Sequence, residues 1–452
     1  MSYKSKSKNI DATTGAMAPQ LVQLCIPMLI GYMFQQAYML VNAFVVGRFA
    51  GDSAMGAIQS ATCISSLATC FGMGSSAGCA VVVGQYFGAY DDEGVSRSAA
   101  TTIGLAIVVG LVMSGFGLLL SEPILRMLNT PPDIFNDANT VAHWMFGGMT
   151  FYLIFVTGGD LLRAVGDSKT PSLILIVTCL FNIALDIVIV GYLKMGIRGS
   201  SISLATSWLF GALYTLVVLH RARGSWCVRF GKYAIDKSIA LSMLRCGVPL
   251  GIQNSVYSVT NIIAQGAINS FGTAACSGWG LSGRIHSIVC YLGTALNIAI
   301  TTFSAQNYGA RKIHRVKELL RVSVEVSVLM VGVIAFIIYI FSDTFSAFFV
   351  SDPDTIKYSI ISLHYLEPLV IVFMIGNAMG AIMRGCGQSF VPMVLTLIGT
   401  CVLRVIWYLV VVPKYHTYEV VMASFPVTWC VTTILLAIYY FKGGWLQENT
   451  DR

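Results

Sequence analysis

Asp186 stands in the middle of the apolar run CLFNIALDIVIVGY, with Asn182 one helical turn earlier. The i, i+4 spacing places both on one helix face. A carboxylate beside an amide oxygen can take up a proton or hold a small hard cation. An ionisable group inside a membrane span costs roughly 2.5 kcal/mol or more to insert, so it is a functional candidate by default; the plain alternative is a polar pair that joins helices. Gln35, Tyr38 and Asn42 recur at i, i+3 and i+7 and form a polar stripe on another apolar segment, open to the same two readings. Arg404, in TCVLRVIWYLV, has Glu367 as its expected ion partner, the two either locking a helix pair or forming a coupling site. Arg284 and His286 share a further apolar stretch, as structural groups or as the lining of a cleft. Asp160 and Arg163, at i, i+3, read as a structural ion pair.

The elements that must position these residues are long and apolar. Hydrophobic residues make up 56% of the 452 and charged residues 11%. Soluble globular chains carry about 25% charge, so lipid has to face much of this one. Apolar windows of span length occur at about 18–45, 54–83, 99–120, 140–158, 171–193, 200–219, 241–269, 274–303, 322–341, 358–380, 391–412 and 420–440. Backbone groups in lipid must be satisfied internally, so these segments are helices; the short alternating strands of a membrane barrel do not occur. With the N-terminus in the cytoplasm, twenty Lys and Arg fall on the cytoplasmic side and six on the other, with Arg284 and Arg404 inside spans. That asymmetry predicts both termini cytoplasmic and an even number of spans.

The two halves repeat. GQYFGA at 84–89 returns as AQNYGA at 305–310, and RAVGDSKTP at 163–171 returns as RGCGQSFVP at 384–392, with the same offset in both cases. The expected division is an N-tail over 1–17, an N-lobe of six helices over 18–219, a basic linker over 220–240, a C-lobe of six helices over 241–441 and a C-tail over 442–452. Six spans per half give both halves the same orientation, as in transporters with parallel repeats, where lobes rock about a central cleft; that step is analogy between folds.

Other classes find no support. There is no GxxxxGK[ST], HExxH or GxSxG, so neither an enzyme nor a cofactor is expected. The GxGxxG formed by Gly278, Gly280 and Gly283 lies in an apolar span and reads as close helix packing. No basic run is interleaved with aromatics, which excludes nucleic acid as a partner, and the twelve Cys lack ligand spacing and behave as small hydrophobes. Nineteen Met, 24 Phe, 20 Tyr and 7 Trp suit an adaptable lining for apolar cations.

VVGRFAGDSAMGA at 45–57, GQYFGAYDDEG at 84–94, LLRAVGDSKTP at 161–171, FNIALDIVIVGYLKMGIRGSSISLAT at 181–206 and, in the second half, SAQNYGA and MRGCGQSFVP together resemble the multidrug and toxic compound extrusion (MATE) family over nearly the whole chain. The resemblance implies twelve helices in two lobes, a V-shaped cleft, and export of amphipathic, mostly cationic compounds in exchange for H⁺ or Na⁺. It implies an N-lobe cation site at Gln35, Tyr38, Asn42, Asn182, Asp186 and Thr206. Of these, Asp186, Asn182, Asn42 and Thr206 are the expected coupling residues, the first three being the ligands if the ion is Na⁺. Gln35 and Tyr38, with Arg284, Glu367 and Arg404, are the expected substrate-cleft residues. The family usually has Asp where Asn42 stands, which leaves Asp186 as the one acid of the N-lobe site. A second family pattern has a Glu in the seventh helix and an Asp in the tenth; here the seventh has no acid and the tenth only Glu367, near its outer end. The expected setting is the plasma membrane, with small-molecule substrates and lipid as partners and no obligate protein partner. The alternatives are a lipid or lipid-linked oligosaccharide flippase of the same superfamily and a non-transporting receptor or scaffold.

Overall fold

The computed structural model describes residues 9–50, 52–128, 130–229 and 235–446; residues 1–8 and 447–452 of the expected tails and 230–234 of the linker lie outside these. Among the described residues there is no strand. Six helices form the first half: α1 (Met17–Ala50), α2 (Asp52–Gly88), α3 (Asp92–Met127), α4 (Pro132–Ala164), α5 (Lys169–Asp186) and α6 (Gly196–Arg221). The second half starts with α7 (Lys237–Asn269) and α8 (Thr273–Gly309). Next, α9 (Ile313–Ser327) runs through the π-helical turn Val328–Gly332 into α10 (Val333–Ile340), followed by the short α11 (Ser342–Phe349). α12 (Pro353–Leu366) and α13 (Val370–Gly385) make one bent element. α14 (Phe390–Thr396), α15 (Leu403–Ile406) and α16 (Val412–Tyr415) are joined by π-helical turns, and α17 (Tyr418–Lys442) closes the chain.

Among the described residues, ten helical stretches are long and apolar enough to cross a membrane on their own, and α12 with α13, bent by 48°, makes an eleventh. The twelfth expected span is α7. At 33 residues it has the length, but Gln253, Asn254, Asn261 and Gln265 dilute its apolar character. Its first turn is held by Asp236, which accepts from the Ser238 hydroxyl at 2.7 Å and the Ile239 N–H at 3.2 Å. Those bonds and the Arg97 guanidinium hold this carboxyl down at about 2.

The repeat extends through the helices. α2 and α8 each have 37 residues and begin at equivalent places, Asp52 and Thr273, while α4 and α12 each begin at a proline, Pro132 and Pro353, with the same offset. The chain divides into two compact units, one of Met1–Asp11 and Ile26–Ser255, the other of Ala12–Cys25 and Val256–Arg452. The division falls inside α1 and inside α7. The halves differ at one point. α4 runs unbroken for 33 residues through Phe146 and Gly147, whereas the equivalent Glu367 and Pro368 stand at the break between α12 and α13. Proline has no N–H to give and clashes with the preceding turn, which accounts for the bend.

Lipid offers no hydrophobic drive for helix association, so small residues that allow close approach do that work. In the first unit a Cβ on Gly74 would lie 2.1 Å from the Gly251 nitrogen, and one on Gly78 2.3 Å from that of Gly247. Two glycine pairs spaced by four thus set the crossing of α2 with α7. The GxGxxG is mixed: a Cβ at Gly278 would meet Tyr358 Cβ at 2.6 Å, while Gly280 and Gly283 face open space.

The repeated loop motifs hold the segment before α1. In the first unit Ile10 N–H donates to the Gly166 carbonyl at 3.1 Å and the Tyr90 hydroxyl to Asp11 at 2.9 Å. In the second, Ala12 N–H donates to Gln306 Oε1 at 3.0 Å, Lys312 to the Thr13 carbonyl at 2.8 Å, and Arg315 to the Ala12 and Gly15 carbonyls.

The crossing glycines give a direct stability test. Gly78→Leu sets a side chain against backbone, which cannot rotate away, and should cost about 3 kcal/mol, the upper end for overpacking. Gly280→Ala should change little. Thermal unfolding of the purified protein in detergent measures both, and a Gly78→Leu transition at the wild-type temperature would count against this packing.

Candidate functional site

The first unit brings α1, α5 and α6 together around Asp186. This residue is 1% exposed and ends the regular part of α5, where the helix widens into the π-helical stretch Ile187–Tyr192. Such widenings in spans often accompany function, because they free backbone groups and re-aim side chains. Asn42 of α1 donates from Nδ2 to Asp186 Oδ2 at 2.6 Å. Asn182, also buried, donates from Nδ2 to the Ser203 carbonyl at 3.2 Å and to Ser207 Oγ at 2.8 Å on α6. This leaves Asp186 Oδ1 and Asn182 Oδ1 buried without a hydrogen-bond partner, with the Ser203 hydroxyl close to the carboxylate. Two acceptor oxygens one turn apart, neither in a hydrogen bond, are what a proton or a hard cation would satisfy. Tyr38 is half-buried within electrostatic range of Asp186, and Gln35 is half-buried on the same helix.

Sequence spacing found Asp186, Asn182 and Asn42, and the structure joins the first and third directly. It does not bring Thr206 into hydrogen bonding with them. The α6 hydroxyls that reach Asn182 belong to Ser203 and Ser207; Ser207 is one residue from Thr206 and therefore about 100° around the helix. The signal was present: Ser203 and Ser207 are i, i+4 and share a face, as Asn182 and Asp186 do.

The second unit corrects one expectation. Glu367 does not pair with Arg404. Glu367 Oε1 is bonded to His286 Nδ1 of α8 at 2.8 Å, and Glu367 Oε2 is buried without a partner. Arg404, 3% exposed, donates to Thr428 Oγ1 at 2.8 Å and lies 4.2 Å from the Phe425 ring centroid. A guanidinium over an aromatic face is stabilised by the ring quadrupole, so Arg404 is held without a carboxylate. Sequence distance had joined the two nearest charges in adjoining spans; the bend at Pro368 turns Glu367 toward α8. Arg284 is exposed on α8.

Two further arginines, the largely buried Arg163 and the buried Arg384, bond near helix ends. Arg163 donates to Asp160 Oδ1 at 2.6 Å and Ser76 donates to Oδ2 at 2.5 Å, as the sequence spacing implied for the first pair. At the repeat-related place Arg384 donates to Asn297 Oδ1 at 2.7 Å. All twelve cysteines are free, and no group of three or more His, Cys, Asp or Glu is placed to bind a metal among the described residues.

The chain is helical, built of two repeated halves, with buried polar clusters inside its candidate spans, and the comparisons with known proteins identify it as a transporter and not an enzyme. The MatE family model matches residues 27–188 and again 249–409, and the chain belongs to that family. It is 28% identical over 447 residues to the probable multidrug resistance protein YoeA of Bacillus subtilis, covering 94% of each chain. It is 22% identical over 380 residues to a FAD transporter of Shewanella oneidensis, covering 80% of this chain and 82% of that one. Its fold is similar to that of a solved structure described as the outward-facing conformation of a multidrug resistance MATE family transporter of the MOP superfamily, with a TM-score of 0.89 at 19% identity over 96% of this chain and 97% of that chain.

The hydrogen bonds on α6 separate Ser207 from Thr206. Ser207→Ala removes the partner of a buried amide and should cost about 1–2 kcal/mol, whereas Thr206→Val should cost under about 0.5 kcal/mol, the range of sites away from such features. Unfolding transitions in detergent measure the difference; a Thr206→Val cost above that of Ser207→Ala would place Thr206, not Ser207, on Asn182, and equal costs would count against the Ser207 bond.

Proposed function

We propose that this protein is a multidrug efflux antiporter, exporting amphipathic, mostly cationic compounds in exchange for H⁺ or Na⁺ by alternating access. The observation that carries the reading is the pair of unpartnered buried oxygens, Asp186 Oδ1 and Asn182 Oδ1, beside the Asn42–Asp186 bond. A coupling ion must bind and leave once per cycle, and a carboxylate whose hydrogen bonds are only half made is such a place. A proton would go to Asp186 alone. A sodium ion would take both free oxygens and need further ligands from the hydroxyls of α6. The name of the Bacillus subtilis relative and the family support drug-like cargo.

Asn42 shapes the coupling chemistry. It donates to Asp186 through its amide, but it cannot take a proton itself. The site thus exchanges one proton, or one Na⁺ on one anion, per cycle.

In proteoliposomes loaded with a lipophilic cationic dye, export should follow an imposed pH or Na⁺ gradient and stop when an ionophore collapses it. Asp186→Asn should lower gradient-driven export at least tenfold at matched protein level, and Asn42→Asp should shift the pH optimum or add Na⁺ sensitivity. Export that outlasts the ionophore but needs ATP would refute antiport; unimpaired Asp186→Asn export under both gradients would remove the coupling role of this site.

The orientation belongs to the same proposal: the plasma membrane, with both termini in the cytoplasm, on the strength of the Lys and Arg asymmetry. In a cysteine-free background, Lys414→Cys should react with an impermeant maleimide added to intact cells and Lys442→Cys should not. The reverse pattern would invert the chain.

A further inference from the structure

Glu367 and His286 lie in the second unit, apart from the Asp186 cluster of the first. We propose that they form a second proton-binding site, in which Glu367 Oε2 takes up the proton and the His286–Glu367 hydrogen bond is the tie that the proton loosens. The inference deepens the antiporter reading and rests on it for the part the proton plays in transport.

Four observations carry it. The Glu367 side chain is fully buried and that of His286 is 13% exposed. One carboxylate oxygen is satisfied at 2.8 Å and the other has no partner. A buried, half-satisfied carboxylate is unfavourable in a medium of low dielectric, and a proton is the smallest ligand that satisfies it. Second, the pair sits at the break between α12 and α13, where a span bends by 48° at Pro368. The bend has an identifiable cause in Pro368, which breaks the backbone ladder, so the His286–Glu367 bond is a side-chain tie at a place where the helix's own bonds are interrupted. Third, the repeat shows that the second unit has this feature and the first does not. The equivalent positions of the first unit are Ser65 and Phe146, Phe146 is buried in an apolar cluster, and α4 passes straight through. Holding the helix pair together does not therefore require an ionisable pair, because the first unit does it with apolar contacts.

Fourth, few titratable groups face the pair. On α8, Cys290 stands one turn beyond His286 and in contact with it, while Arg284 is exposed. On α12, His364 is turned to Ser342 Oγ at 3.0 Å and to the Tyr339 ring of α10. Asp343 of α11 is exposed, α10 and the stretch of α13 up to Met383 carry no charged residue, and the charges of α9 end at Glu325, before the π-helical turn. From α17 the Trp429 ring stacks on His286 with centroids 6.5 Å apart, and Phe373 stacks on Trp429 at 5.1 Å. Glu367 therefore has His286 as its main electrostatic partner.

The proton balance is simple. With Glu367 ionised, His286 Nδ1–H donates to a full negative charge. A proton from the aqueous phase converts the carboxylate to the acid at Oε2. Nδ1–H then donates to a neutral oxygen, and such bonds are roughly half as strong as charge-assisted ones. α8 is then held less firmly to the bend, and the proton leaves when the carboxylate re-forms.

The test is amide hydrogen exchange of the full-length protein in lipid nanodiscs, between pH 5 and pH 9 and corrected for intrinsic exchange. It reads peptides over 360–372 and needs neither substrate nor gradient. Wild type should show a step, with protection at the alkaline end at least about threefold above that at the acid end. Glu367→Gln should hold the segment at the acid-end level throughout. His286→Gln, which keeps a donor but removes the imidazole, should shrink the step, and it decides the matter if Glu367→Gln does not fold. A wild type without a step, or a step unchanged in the folded variant, would overturn the proposal. Because no transport is measured, that result would leave the antiport reading intact. Equally, loss of antiport in the dye assay would leave the site standing as a proton-sensitive bend.

Discussion

Everything that distinguishes this chain from a plain bundle of apolar helices depends on one constraint. A polar group inside a span has to find its partners within the protein, because lipid supplies none. Most groups here comply fully. Ser and Thr hydroxyls return to carbonyls one turn back, as Ser201 does to Ile197 and Thr428 to Ser424, and the Asp160 carboxylate accepts from Arg163 on one oxygen and from Ser76 on the other. Asp186 and Glu367 comply by half. Each has one oxygen in a short hydrogen bond to a neighbouring helix and the other left over. Half-satisfaction is costly, so it is the condition to expect where a small ligand comes and goes and the wrong one for a group whose only duty is to hold helices.

The internal repeat supplies a control that a single fold lacks. Two halves with the same helix starts have to solve the same packing problem, and any polar group needed for packing alone should recur at the repeat offset. Arg163 and Arg384 do recur, at the ends of α4 and α13. The positions equivalent to Asn182 and Asp186 are Leu403 and Trp407, and those equivalent to His286 and Glu367 are Ser65 and Phe146. Each unit thus carries its own buried acid at a place where the other has no charge. Asymmetry alone does not mark function, since the structural acid Asp160 also has no counterpart and Ala381 stands at the equivalent position; what sets Asp186 and Glu367 apart is asymmetry together with an unpartnered buried oxygen.

Much of this could be read from the sequence, for reasons that differ between elements. The helices were legible because hydropathy in a membrane protein reports the solvent directly. Two short motifs recurring at one offset were enough to reveal the repeat, and the helix starts follow that offset. Asp186 with Asn182 was legible because i, i+4 is local geometry. What failed was partner choice across helices. Glu367 was matched with Arg404 by charge and nearness in the chain, yet a 48° bend at Pro368 turns it to His286. The hydroxyl that bonds Asn182 belongs to Ser207, one residue from the carried-over Thr206, a shift that is invisible to composition and decisive on a helix face. The α2–α7 crossing was missed because its glycines belong to two distant segments, and only their meeting gives either pair a meaning.

The two half-satisfied acids also differ in what their first partner can do, and this separates their chemistry. Asn42 is a fixed donor: its amide neither gains nor loses a proton, so the Asp186 cluster changes state only when an ion enters or leaves. His286 is an imidazole, whose two ring nitrogens can exchange donor and acceptor roles, so the first partner of Glu367 is not a fixed donor. An amide-held carboxylate with a spare amide oxygen one turn away can accept either a proton or a metal cation. An imidazole-held carboxylate walled by Trp429 and without a second free oxygen ligand favours the proton, because a sodium ion would have to lie beside an imidazole that is charged in one of its states. On the proposed reading, the chemistry of the partners, more than the acids themselves, leaves the first site open to either ion and narrows the second to one.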